Sequence, residues 1–95
     1  MKYVYPAIFT RDDEFYFVEF PDMQEVVTQG NDLNDALYMA QDVLNTWLAF
    51  LEDTGKIIPK PSNINSIVLD GGQFANLIIA DTDAWRLLNV KKATA

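Results

Sequence analysis

Between Leu33 and Asp53 the apolar residues recur at helical spacing, and that stretch limits what the rest of the chain can be. Leu33, Ala36, Leu37, Ala40, Val43, Leu44, Trp47, Leu48 and Leu51 follow an i, i+3, i+4, i+7 pattern and make one broad stripe. Asn34, Gln41, Asp42, Asn45, Thr46 and Asp53 fall largely away from it. Asp32 is the natural N-cap, Asp35 is a short version of the capping-box acid, and Gly55 is the expected terminator. A helix of about 20 residues is about 30 Å long, enough to cross a small sheet. In a chain of 95 residues, that sheet has to come from the flanking segments.

Those segments read as strands. Lys2–Thr10 is rich in aromatic and β-branched residues, with Tyr3, Tyr5, Ala7 and Phe9 pointing one way and Val4, Pro6, Ile8 and Thr10 the other. Pro6 has no N–H, so there the strand must face an edge, a bulge or a gap. Arg11–Glu14 is a polar turn into a second strand, Phe15–Phe20, and Pro21–Glu25 a turn into a third, Val26–Gln29. Gly30 then frees the backbone to leave the sheet. After the helix, Pro59, Pro61, Gly71 and Gly72 break up a connector. Phe74–Ala80 is the last strand, and its apolar run predicts an interior position. A short helix over about Asp83–Leu88 follows, and then a tail.

The expected class is α+β in the order β-β-β-α-β-α. Three strands are antiparallel, and the fourth returns parallel to the first through a right-handed crossover. One helix covers one face of that sheet. The other face also carries aromatics, so a second copy of the chain is expected to cover it, as a homodimer or higher homo-oligomer.

Catalysis is disfavoured by what the chain lacks. With no histidine and no cysteine it has no ready proton shuttle near neutral pH, no thiolate nucleophile and no disulfide framework. Its two serines, Ser62 and Ser66, lie in the connector without a base, and "DGGQ" is no phosphate loop. Carboxylates could still gather a magnesium ion. The strand order resembles a ribonuclease H-like core, where an acid in the first strand is essential. Here that strand carries none, and only Asp81, with Asp35 or Asp42, could match. No catalytic, metal or cofactor residue is assigned.

Fourteen acids against seven bases give a net charge of −7. That field repels a phosphate backbone and attracts a basic protein. No segment reads as a membrane span or a signal peptide, so a cytoplasmic protein is expected. Asp12, Asp13 and Glu14 at the hairpin tip, with Tyr16, Glu19 and Asp22 along the second strand, form the expected partner-binding set. Their roles are contact rather than chemistry.

Several of these pieces resemble the HicB antitoxin family. "MKYVYPAIF" is similar to its opening strand, "YFVEFPDM" to its tyrosine-rich second strand, and "VTQGNDLNDALYMAQDVL" to its Thr-x-Gly turn and patterned helix. "IIPKPS" resembles its proline pair and "LIIADTDAW" its last strand and the step after it. The chain departs from the pattern at Gln24 and Glu25, where the family often has Pro-Gly. The resemblance implies a partial ribonuclease H-like fold without catalysis that binds and neutralises a small basic RNA-cleaving toxin of the HicA type. Residues 1–90 are then expected as a single HicB-like domain and 91–95 as a tail. The DNA-binding domain many relatives carry is not expected here, and neither is direct DNA binding. The alternative is a stand-alone oligomeric adaptor or RNA-associated regulatory module with no toxin partner.

Overall fold

A computed structural model describes residues 1–94, with side-chain surroundings through Asn89. Its elements are β1 (Lys2–Asp12), β2 (Phe15–Phe20), β3 (Met23–Gly30), α1 (Leu33–Thr54), a 3-10 turn (Ile64–Ser66), β4 (Gln73–Asp81) and α2 (Thr82–Thr94). The four strands form one sheet in the order β3-β2-β1-β4, and every neighbouring pair is antiparallel. The α+β class and the element order agree with the sequence reading.

Alternation along β1 puts Tyr5, Ala7 and Phe9 under α1, where they join Val18, Phe20, Val26, Ile78 and Ala80. Ala36, Ala40, Leu44, Leu48 and Leu51 close the core from the helix side. Small residues at 36 and 40 let α1 lie close to the sheet, while Leu44 and Leu48 fill the wider space beyond. Leu33, at the end of the predicted stripe, stays exposed.

Both ends of α1 are satisfied. The Asp32 carboxylate accepts from the Asp35 N–H at 2.7 Å, and the Asp35 carboxylate accepts from the Asn31 N–H at 2.9 Å. At the far end Gly55 adopts φ 67, Lys56 N–H donates to the Leu51 carbonyl and Gly55 N–H to that of Glu52, which is a Schellman closure. Asp32→Ala is expected to cost about 1 kcal/mol. A lower urea midpoint with an unchanged slope is the corresponding observation.

Pro6 is accommodated at a gap. Pairing of β1 with β2 begins at Ile8↔Glu19, and β2 meets β3 through a bulge at Glu19/Phe20. Odd residues of β1 bond to β4, as the Arg11 N–H to Gly72 carbonyl contact shows, so the missing N–H of Pro6 faces the side where the β2 ladder has already ended.

Three expectations are corrected. First, β4 runs antiparallel to β1, with Lys2 opposite Asp81 and Thr10 opposite Gln73. α1 delivers the chain to the end of the sheet where β1 starts. A direct entry there would give a parallel strand. Instead, the connector carries the chain back to Gly72, beside Arg11, before β4 begins. Pro59 and Ser62 anchor its first half: Tyr5 Oη donates to the Pro59 carbonyl, and Ser62 N–H donates to Asp22 Oδ2 at 2.9 Å. Second, β4 is an edge strand, not an interior one. Third, Gly30 has no left-handed φ; what it supplies is space. A Cβ there would stand 2.3 Å from the Ala36 backbone nitrogen.

The last helix is longer than predicted. Residues 91–94, expected in a tail, continue α2, while Ala95 lies outside the described residues. α2 packs on the back of α1. That contact buries Asn45, which the helical pattern assigns to solvent, to 6% exposure. Among the described residues, Asn45 Oδ1 and Trp85 Nε1 are both buried at this contact without a hydrogen-bond partner.

Candidate functional site

α1 and α2 lie on one side of the sheet, and its other face is open. Pairing sets Val4, Pro6, Ile8 and Thr10 of β1 beside Ile79, Leu77, Ala75 and Gln73 of β4, and places Phe17 and Glu19 of β2 and Val27 of β3 on the same side. Val4, Phe17, Val27, Leu77 and Ile79 are exposed there. Five exposed large apolar residues on one face, with Glu19 among them and Pro6 buried, mark a candidate interaction surface.

One end of the sheet is strongly acidic. The β1–β2 turn carries Asp12, Asp13 and Glu14, all exposed. Asp13 takes φ 50, a left-handed conformation that aspartate tolerates better than most residues, so the turn closes in two residues. Tyr16 pairs with Gly30, so the start of α1, with Asp32 and Asp35, comes to the same end. Arg11 binds Gly72, which brings Asp70 there too. Arg11 is the one basic residue in these turns.

The six expected contact residues therefore separate. Asp12, Asp13 and Glu14 stand together at the acidic end. Glu19 is half-buried in the middle of the open face. Tyr16 points to the helix side and meets Phe74 edge-on, with ring centroids 6.3 Å apart. Asp22 lies at the opposite end of the sheet, where its carboxylate accepts from both the N–H and the hydroxyl of Ser62.

The acids considered for metal binding have local work. Asp81 Oδ1 accepts from the Ala84 N–H at the start of α2, and Asp35 caps Asn31. Asp42 and Asp81 do line one groove between α1 and α2, of about 300 Å³. Among the described residues no group of three or more His, Cys, Asp or Glu side chains is placed to hold a metal ion.

Sequence reasoning passed over one polar cluster. Glu52, with a side chain 17% exposed, accepts from Tyr3 Oη at 2.5 Å, Thr82 Oγ1 at 3.1 Å and Arg86 at 2.7 Å. Burial pushes its carboxyl up, but the hydrogen bonds from Tyr3, Arg86 and Thr82 outweigh that and hold it below the ordinary value. Burial, and then the bond to Glu52, push the Tyr3 hydroxyl up to about 12, so it stays a donor. The cluster ties β1, α1 and α2 together at the end of the sheet away from the acidic turns. Periodicity has no signal for it, because its members are far apart in sequence.

A sheet covered on one side, with an apolar face and a charged end left open, defines an α+β interaction domain. The chain matches the family described as HicB_like antitoxin of bacterial toxin-antitoxin system over residues 4–68. It belongs to that family. It is 41% identical over 58 residues to Antitoxin HicB 2 of Photorhabdus laumondii subsp. laumondii, an alignment covering 61% of this chain and 42% of that one. The chain thus spans less than half the length of that relative. Among solved structures, a toxin–antitoxin complex from Streptococcus pneumoniae superposes with a TM-score of 0.82 at 30% identity, over 90% of this chain and 73% of that one. A HicA3 and HicB3 toxin–antitoxin complex superposes at 0.69 with 20% identity, over 83% of this chain and 99% of that one, and shows the shared fold. No helix among the described residues is long and apolar enough to cross a membrane.

Proposed function

We propose that this chain is a non-catalytic, cytoplasmic antitoxin module that binds and silences a small basic RNA-cleaving protein of the HicA type. The observation that carries the reading is the acidic end of the sheet, where Asp12, Asp13, Glu14, Asp32, Asp35 and Asp70 gather around a single arginine. A protein that grips RNA must present positive charge. A rival surface of opposite sign steers it in and masks that charge. The open apolar face beside it supplies the area that charge alone lacks. Membership of the family and the complex from Streptococcus pneumoniae support the same partner class. Residues 1–90 are taken as one such module.

The test is titration of the chain into a HicA-type protein during RNA cleavage. Cleavage is expected to stop near equimolar antitoxin, and the chain alone is expected to leave RNA intact with or without magnesium. Asp12→Lys/Asp13→Lys/Glu14→Lys is expected to weaken binding at least about 10-fold at low salt, with the loss shrinking as salt rises. Unchanged affinity in that variant would remove the acidic end from the interface. Cleavage that continues at excess antitoxin would favour an adaptor without a toxin partner.

A further inference from the structure

The two unpartnered atoms buried between α1 and α2 are of opposite kinds. Asn45 Oδ1 can only accept a hydrogen bond, and Trp85 Nε1–H can only donate one. The Asn45 amide gains nothing by turning over. Its Nδ2 donates to the Gln41 carbonyl at 3.0 Å, and a turned amide would set oxygen against oxygen there. Folded chains leave few buried polar atoms unpaired, so each one marks a place where another group supplies the bond.

Both residues line the groove of about 300 Å³ between α1 and α2, with Asp42 on the α1 side and Asp81 at the start of α2. Asp81 uses Oδ1 to accept from the Ala84 N–H, which leaves its Oδ2 for a second donor. No base stands among the described residues that line the groove. Arg86, next to Trp85, is engaged with Glu52 and Asp53, and Lys2, opposite Asp81 in the ladder, does not line it. Tyr38, exposed on α1, adds a second aromatic ring. The groove thus joins two carboxylates, two aromatic rings and one buried acceptor–donor pair.

We propose that it binds a small amino alcohol, a ligand with a protonated amine and a hydroxyl a few bonds apart. A hydroxyl accepts from Trp85 Nε1 and donates to Asn45 Oδ1 at once. The ammonium then meets the carboxylates of Asp42 and Asp81, and the rings of Trp85 and Tyr38 attract it through their faces. Water would answer the two buried atoms but does nothing for the carboxylates, and its share of volume, about 30 Å³, is a small part of the groove. A metal ion offers Trp85 no acceptor. The groove lies on the helix side of the sheet, away from the acidic turns and the open face, so this site and the toxin surface stand or fall separately.

Ethanolamine is the probe. With four non-hydrogen atoms, it is expected to bind with a dissociation constant on the order of 1 mM. The chain has two tryptophans, Trp47 and Trp85, so their indole N–H resonances can be followed separately. Titration at constant ionic strength is expected to move the Trp85 resonance downfield along a saturating curve while that of Trp47 stays in place. Ethylammonium lacks the hydroxyl and ethylene glycol lacks the charge, and each is expected to bind at least about 10-fold more weakly. Asp42→Asn, at an exposed side chain, is expected to weaken ethanolamine about 3-fold or more with circular dichroism unchanged. Glu25→Gln, on β3 far from the groove, is expected to bind like the parent. A Trp85 resonance unmoved up to about 50 mM, well above that scale, would overturn the proposal. So would an equal response to ethylammonium or ethylene glycol, or full affinity in Asp42→Asn.

Discussion

Gly30→Ala is expected to lower stability by about 3 kcal/mol, the upper end for overpacking. The added Cβ would lie 2.3 Å from the Ala36 nitrogen, 2.4 Å from its Cα and 2.8 Å from the Asp35 carbonyl carbon. All three are backbone atoms of the first turn of α1, so no rotamer change relieves the overlap. Either β3 or the start of α1 must shift. The start of α1 is held by Asp32 and Asp35, while Gly30 pairs with Tyr16. A shift there carries Ala36 and Ala40 out of register with Phe9 and Val18, so the whole core registers the change. The midpoint of urea unfolding and the thermal midpoint both read the effect. A loss below about 1 kcal/mol, the low end for overpacking, would mean that the strand–helix junction is far looser than described.

Glu52→Ala is expected to cost about 2 kcal/mol at neutral pH, because it removes the acceptor shared by three donors, although Thr82 keeps the Met1 carbonyl and Arg86 keeps Asp53 and the Ala49 carbonyl. Thr82 is fully buried, and the Tyr3 hydroxyl and Arg86 lose the same acceptor. The change loosens the seat of α2 on α1. Acid should produce the same weakening in the parent. The folded carboxyl titrates below its ordinary 4.5, so the unfolded chain binds the proton more readily. The contribution is therefore complete above about pH 4.5 and is lost as pH falls through the lowered folded value. Glu52→Gln keeps the shape but not the charge, and should flatten that part of the acid profile. At the alkaline end, Tyr3 titrates near 12 in the fold against 10.0 unfolded, so its contribution is present below pH 10 and fades toward pH 12. Tyr3→Phe should remove its share of the alkaline component and leave that of Tyr5, whose hydroxyl burial also pushes up. Urea midpoints from pH 3 to 11 follow both arms, and an acid arm unchanged in Glu52→Gln would assign it to other carboxylates.

The expected binding set shows how far pattern reading reaches. Asp12, Asp13 and Glu14 were legible because a polar run between two strands has to be a turn. The acids that join them from Asp32, Asp35 and Asp70 were not, because strand pairing alone brings them near. Tyr16 and Asp22 sit in the same short stretch of sequence, but alternation and the length of β2 send one to the helix side and the other to the far end. The interior position predicted for β4 failed for a related reason. An apolar run reports that a strand wants two covered faces, and does not report whether its own chain supplies the cover.

The sequence alone determined the order and type of the main elements, the caps of α1, the two faces of β1 and the acidic, nucleophile-poor character of the chain. These follow from period, capping chemistry and charge, which are local or additive. Tertiary structure alone decided the antiparallel entry of β4, the space that Gly30 leaves for Ala36, the burial of Asn45 beneath α2 and the cluster around Glu52. Each depends on where two segments distant along the chain come to rest. That is set by the length and anchoring of the connectors between them, not by the residues at the contact.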